Sequence, residues 1–248
     1  MIYLKNNREI TIMREGGKIL AEIMAKLKDE TKVGIKTIQL EILAKSLIKK
    51  NQVKPSFLGE DGFPSVLCVS INDEIVHGLP SERVIKNGDI VSLDFGIIYK
   101  GFHSDMAITI PVGEVEAESL RLIKTTKKVL KLAIKKAKVG NTLGDVGNII
   151  ERYITARGFY VIKDLCGHGI GRRLHEDPQV LNFGKRYHGI KLEEGMTICI
   201  EPMAAVGTSK IKQIKGEFAF RTADGSMSSH FEHTIAITKN GPKILTKI

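Results

Sequence analysis

Four acidic residues sit in or beside β-branched runs: Asp94 in "DIVSLDFG", Asp105 in "FHSDMAITI", Glu201 in "MTICIEPM" and Glu232 in "HFEHTIAI". Ionised carboxylates placed side by side in an apolar sheet repel one another and lose hydration. They need a cation, a shared proton or a strong donor. No lysine or arginine lies inside these runs, so a divalent metal is the simplest compensation. His168, in "GHGIG", adds one neutral imidazole. Four carboxylates and one imidazole can hold two ions if some carboxylates are shared. Oxygen-rich ligation with a single nitrogen suits Mn, Fe(II), Co or Zn. Two such ions about 4 Å apart would turn a shared water into hydroxide near neutral pH and polarise a carbonyl, which is hydrolytic chemistry.

The elements that must position these residues are written twice. "KVGIKTIQLEILAKSLIKKN" (Lys32–Asn51) resembles "KVGNTLGDVGNIIERYITARG" (Lys138–Gly158). Each is Lys-Val-Gly, a threonine at the expected helix start, then an amphipathic helix. "LCVSINDEIVHGLP" (Leu67–Pro80) and "LCGHGIGRRLHEDP" (Leu165–Pro178) share Leu-Cys, eight residues, then His-x-x-Pro. "NGDIVSLD" (Asn87–Asp94) matches "EGMTICIE" (Glu194–Glu201), and "HSDMAITI" matches "HFEHTIAI". Four collinear matches predict two similar α+β halves, about 1–112 and 113–248, within one catalytic domain spanning 1–248. Each half reads as helices followed by a hairpin, and a pseudo-twofold axis would bring both acid pairs to one central site.

In the first hairpin a Tyr99-Lys100-Gly101 turn joins two strands rich in Val, Ile and Phe. With Tyr99 and Lys100 at the tip, Asp94 faces Asp105, and opposed Cβ atoms lie about 5 Å apart. The repeat predicts the same pairing for Glu201 and Glu232. Ser70 holds the first-copy position of His168, so only one half offers a nitrogen ligand. His77 and His175, matched in the His-x-x-Pro frame, are expected beside the metals. His103, His188, His230 and His233 read as structural. The glycines of "GHGIGR" do not form a dinucleotide loop, because the third comes one place early and no helix follows.

Composition bounds the rest. Hydrophobic residues make up 42% of 248, with no apolar run long enough to span a bilayer and no signal-type apolar N-terminus. A soluble, cytoplasmic protein with no membrane partner is expected. Three cysteines lie far apart without a CxxC pair, which argues against disulfides and a thiolate zinc cage. Net charge is +10, and the basic stretch Arg121–Gly140 reads as an amphipathic helix with a solvated lysine face. With no Trp and no aromatic ladder among the basic residues, sequence-specific nucleic-acid binding is not expected.

Taken in order, Asp94 in "LDFG", Asp105 in "GFHSD", His168 in "GHGIG", Glu201 in "IEPM" and Glu232 in "FEHTI" resemble the type I methionine aminopeptidases over nearly the whole chain. The resemblance implies the pita-bread fold, an α+β fold of two pseudo-symmetric halves whose central antiparallel sheet is covered by helices. It implies two divalent ions, with Asp94 holding one, His168 and Glu201 the other, and Asp105 and Glu232 bridging. Glu201 would be the general base, His175 would stabilise the oxyanion, and His77 would contact the peptide nitrogen beyond the cut. Phe63, Cys68, Leu174 and Phe218 would wall a methionine pocket. Leu174 and Glu60 stand where many members carry an aromatic. The implied activity is removal of initiator methionine from nascent proteins and peptides with a small second residue. A basic loop with Lys210, Lys212, Lys215 and Arg221 would touch the ribosome, and the protein is taken as a monomer. The alternatives are a proline-directed peptidase of the same fold and a non-enzymatic binding module.

Overall fold

The repeated motifs take matching backbone forms in their two copies. The glycines of the two Lys-Val-Gly motifs, Gly34 and Gly140, have φ of 90° and 86°, and Gly88 and Gly195 both have φ of 91°. Only glycine adopts these left-handed conformations without strain. After each Lys-Val-Gly the chain makes one isolated antiparallel bridge, Lys36 with Val84 and Thr142 with Lys191. A helix then begins.

The computed structural model describes all 248 residues. In chain order its elements are α1 (Asn7–Glu30), α2 (Thr37–Lys50), β1 (Lys54–Pro55), a 3₁₀ turn at Glu60–Gly62, β2 (Leu67–Ile71), β3 (Glu74–Val76), β4 (Ile90–Tyr99) and β5 (Phe102–Pro111). Helices α3 (Ala117–Lys136) and α4 (Leu143–Thr155) follow, then β6 (Tyr160–Val161), β7 (Cys166–Gly169), β8 (Glu176–Leu181), β9 (Thr197–Ile200) and β10 (Met203–Ala205). The chain closes with β11 (Ile211–Gln213), β12 (Phe220–Thr222), β13 (Ser228–His230), β14 (His233–Thr238) and β15 (Gly241–Ile244). None of the helices is long and apolar enough to cross a membrane.

Two helix starts show why the chain folds where it does. Asn6 accepts hydrogen bonds from the Arg8 and Glu9 amides, and Glu9 accepts one from the Asn6 amide, a capping box that opens α1. Thr142 and Asp145 form the same device at α4. The first-copy threonine departs from the expected role. Thr37 is the first helical residue, and its hydroxyl donates to the Ser81 carbonyl, while Lys36 takes the cap position.

All strand pairing is antiparallel. In the first sheet β4 pairs with β5 on one side and with β2 and β1 on the other. The second sheet runs β15-β14-β9-β7-β8. Smaller sheets, β13-β10-β6 and β11-β12-β3, continue the layer. Leu67, Val69, Leu93, Phe95 and Ile97 pack with α1 and α2, and Ile198, Ile200, Ile235 and Ile237 pack with α3 and α4. Side chains alternate along a strand. The intervening Asp94, Cys199, Glu201 and Thr234 therefore face away from both helical layers.

The first hairpin differs from its expected register. Lys100 and Gly101 carry the positive φ values, 48° and 81°, so they are the two central turn residues and Tyr99 pairs with Phe102. A two-residue turn of this hand needs positive φ at both positions, and glycine suits the second. Asp94 therefore faces Ala107, and Asp105 faces Gly96. The shift is two residues, an even number, so both acids stay on one face as diagonal neighbours.

Candidate active site

The second acid pair does stand directly opposed. His233 pairs with Ile200 and Met203 pairs with His230, which brackets Glu201 and Glu232 in one continuing register. The two halves meet along β5. The Glu232 amide donates to the Ala107 carbonyl at 2.9 Å, and the Thr234 hydroxyl donates to the Asp105 carbonyl at 2.8 Å. The Asp105 amide donates back to the Thr234 hydroxyl at 2.9 Å. These bonds carry Glu232 to the face that holds Asp94 and Asp105. Carboxylate oxygens of Asp94, Asp105 and Glu232 then lie within 4.8 Å of one another.

Asp94 Oδ1, Asp105 Oδ1 and Glu232 Oε1 are buried and have no hydrogen-bond partner. Burial, and then the neighbouring carboxylates, hold Asp94 and Glu232 well above the ordinary carboxylate range. Burial, then Glu201, lifts Asp105 to about 7, and burial lifts Glu201 to about 8. Buried acceptors aimed at one another with no donor are rare in folded proteins. This set fits a divalent cation, which would supply the missing positive charge.

His168 completes the predicted ligands. Its Nδ1 lies 3.0 Å from the Gly169 carbonyl, so Nδ1 carries the proton and Nε2 keeps its lone pair. That Nε2 lies 3.7 Å from Glu201 Oε1. Burial first, then His175, lowers the His168 pKa to about 4, so the ring is neutral at neutral pH and fit to ligate. Ser70, at the matching place in β2, instead accepts a hydrogen bond from the Gly78 amide.

The two His-x-x-Pro histidines reach the same cavity, of about 650 Å³, lined also by all five predicted ligands. The His175 ring stands edge-on to His168 with centroids 4.6 Å apart. Its loop is pinned by Glu176, which accepts from Lys5 Nζ at 2.6 Å and from the Arg173 amide at 3.1 Å. Glu60 Oε1 lies 3.5 Å from His175 Nδ1, so an acid occupies a place where the resemblance leads one to expect an aromatic. His77 follows β3 with φ of 60°, a left-handed conformation that costs a non-glycine residue about 1–3 kcal/mol and aims the side chain at the cavity. Burial, then His230 and His175, lowers its pKa to about 4.

The predicted pocket walls are brought together. Phe63, Cys68 and Leu174 are buried in one apolar cluster, and Phe218 packs against it. The rings of Phe63 and Phe218 meet edge-on at 5.4 Å. The basic loop falls on the β11–β12 hairpin, but Arg221 contributes no free charge there. Its guanidinium lies 2.9 Å from Glu74, 3.2 Å from Glu217 and 3.6 Å from Asp73.

Sequence reading missed two residues at this centre. His230, read as structural, is fully buried, and its Nε2 lies 3.4 Å from Glu201 Oε2. Burial lowers its pKa to about 3, and neither ring nitrogen has a hydrogen-bond partner. Cys199, left without a role, has its sulfur within 4.8 Å of donor atoms of both His168 and Glu232. Each lies two residues before a predicted ligand, on the face that strand alternation assigns to the site. That spacing was the available signal.

Fold and site together define a metal-dependent hydrolase built on paired halves. Residues 11–239 match the model of metallopeptidase family M24. A methionine aminopeptidase of Clostridium perfringens is 46% identical over 248 residues, covering 100% of both chains. The crystal structure of methionine aminopeptidase from Thermotoga maritima superposes with a TM-score of 0.98 at 43% identity, covering 100% of both chains. Prolidase from Pyrococcus furiosus superposes at 0.81 with 26% identity, covering 99% of this chain and 65% of that one. The chain belongs to metallopeptidase family M24, with the methionine aminopeptidases, and has their pita-bread fold. As a metallopeptidase it uses divalent metal.

Proposed function

We propose that the protein removes N-terminal methionine, including initiator methionine, from nascent proteins and peptides with a small second residue. The observation that carries this reading is the buried set of unpartnered carboxylate oxygens beside a cavity walled by Phe63, Cys68, Leu174 and Phe218. Asp94 would hold one ion, His168 and Glu201 the other, and Asp105 and Glu232 would be shared. Glu232 belongs to both groups of converging donors, which supports a shared role. The ions would be Co, Mn, Fe(II) or Zn, and they would supply Lewis-acid polarisation and ease the deprotonation of water.

The chain's own groups do the rest. Glu201 takes the proton of the attacking water as general base. His175, exposed enough to reach substrate, donates a hydrogen bond to the oxygen that gains charge. His77, its pKa lowered to about 4 by loss of hydration in the cavity and so neutral, hydrogen-bonds the nitrogen beyond the cut. The apolar walls take the thioether side chain, which packs well on aromatic edges. The protein would act in the cytoplasm as a monomer, with residues 1–248 as one catalytic domain. Lys210, Lys212 and Lys215 are the exposed charges that would contact the ribosome. Ribosome co-sedimentation unchanged by charge reversal at these three lysines removes that contact.

Cleavage of Met-Ala-Ser with added Mn(II) or Co(II), compared with Asp105→Ala and His168→Ala, tests the activity. The wild type is expected to release methionine and both variants to lose it. Faster cleavage of an X-Pro peptide than of Met-Ala-Ser, or no release with any metal, overturns the reading.

A further inference from the structure

We propose that the Cys199 thiolate, together with His168 and Glu232, ligates one divalent ion, giving this centre a sulfur donor on one side only. The inference rests on the metal-centre reading above and adds a ligand to it. Cys199 lies in β9 two residues before Glu201, so both side chains leave the same face of the strand. Its sulfur, a ring nitrogen of His168 and a carboxylate oxygen of Glu232 all lie within 4.8 Å of one another. Cys199 is fully buried, and Glu232 Oε1 in the same group has no hydrogen-bond partner. The Thr234 hydroxyl, 3.5 Å away, and the Glu232 carboxylate are the hydrogen-bonding neighbours of the sulfur.

The two donor groups that share Glu232 are chemically unlike. Asp94, Asp105 and Glu232 offer oxygen alone, the set of hard cations and Mn(II). His168, Cys199 and Glu232 offer nitrogen, sulfur and oxygen, the mixture that Zn(II), Co(II) and Fe(II) accept. The matching residue of the first half, Ser92, is closed off by a 2.8 Å hydrogen bond to the Thr109 hydroxyl. Cys68 and Cys166 line the cavity but belong to neither donor group, whereas Cys199 belongs to one without being among the lining residues. On binding, the S–H bond breaks, the sulfur–metal bond forms, and the proton leaves to water.

Absorption spectra of the full-length protein titrated with Co(II) test the assignment, with the number of ions bound measured in parallel by calorimetry. The expected result is a near-ultraviolet sulfur-to-cobalt charge-transfer band. It should vanish in Cys199→Ser and persist in Cys68→Ser and Cys166→Ser. Cys199→Ser should also weaken Cd(II) binding by the order of 10- to 100-fold seen when a metal centre loses a supporting interaction, with Mn(II) binding little changed. Co(II) binding with visible d–d bands but no charge-transfer band overturns the Cys199 assignment and leaves the centre standing. No Co(II) binding overturns the centre and the assignment together. The wild-type spectrum decides even if Cys199→Ser does not fold.

Discussion

Asp94 and Glu201 hold matching places in the two halves, as do Asp105 and Glu232, yet the residues around them have diverged. In the first half the position matching His168 is Ser70, bonded to the Gly78 amide, and the position matching Cys199 is Ser92, bonded to Thr109. His103, matching His230, turns to the Ser56 hydroxyl at 3.0 Å. These polar groups satisfy one another locally. In the second half His168, Cys199 and His230 are aimed at the carboxylates instead. At these matched positions the first half thus brings only carboxylate oxygens to the donor groups, and the second adds nitrogen and sulfur. A duplicated frame gives a symmetric set of acids, and small replacements at strand positions two apart make the two sides chemically distinct.

The largest effect should come from breaking what both halves share. Glu232→Ala removes the carboxylate common to both donor groups. Methionine release should fall by more than the order of 10²–10³-fold that one lost transition-state donor costs. Calorimetry should show loss of ion binding at both positions. A variant that keeps two ions would separate the halves more sharply than the geometry does.

Next comes His168→Ser, which writes the first-half residue into the second half. One bound ion should be lost and one retained, with methionine release reduced by about 10²-fold or more. Ser70→His is not the mirror experiment. Gly78 packs against the Val69 carbonyl and Ser70 Cα there, and its amide needs the Ser70 hydroxyl.

The stability of the metal-stripped protein should change with pH in a window set by the acids. The folded pKa values of Asp105 and Glu201, about 7 and about 8, lie above their ordinary 3.8 and 4.5. Their contribution is complete below the unfolded values and is lost as pH rises through 7 and 8. Four histidines work in the opposite direction. His77, His168 and His233 titrate near 4 and His230 near 3, so their contribution is complete above the ordinary 6.5. Between pH 6.5 and 8.5 only the acids matter, and thermal melts should show falling stability. Mn(II) should raise the melting temperature more at pH 8 than at pH 6.5, since ions replace the protons. A flat metal-free profile would show that the acids are not coupled to folding.

The smallest effect is expected from Ser92→Ala. It loses one buried hydrogen bond, about 1 kcal/mol in a denaturant melt. Metal stoichiometry and methionine release should stay at wild-type values. A change in either would mean that Ser92 is not closed off from the donor groups.

Much of this centre was legible in the chain. The repeat marked Asp94, Asp105, His168, Glu201 and Glu232 because each recurs, or breaks recurrence, at a defined place in a motif. Strand alternation put each acid on the correct face, and it did so despite a hairpin register wrong by two residues. Alternation has period two, so an even slip leaves the face unchanged. The slip itself arose from choosing Tyr99-Lys100 over Lys100-Gly101 as the turn, a choice that backbone φ decides. Cys199 and His230 escaped notice although both lie inside repeated motifs, because cysteine and histidine in a strand are ordinary core residues and the matches were read for their acids.

The sequence by itself determined which side chains share a face, where helices begin and where the turns require glycine. All of these depend on interactions within a few residues. Tertiary structure decided which faces meet. Asp105 and Thr234 are bonded across 129 residues, and Thr109 and His230 across 121. Those long-range bonds join β5 to β13 and β14 and set how far the Asp94 side lies from the Glu201 side. They also carry His230 to Glu201 and leave Cys199 beside His168. Local periodicity specifies direction along a strand, whereas distance across the site is set by packing two cores against a common layer.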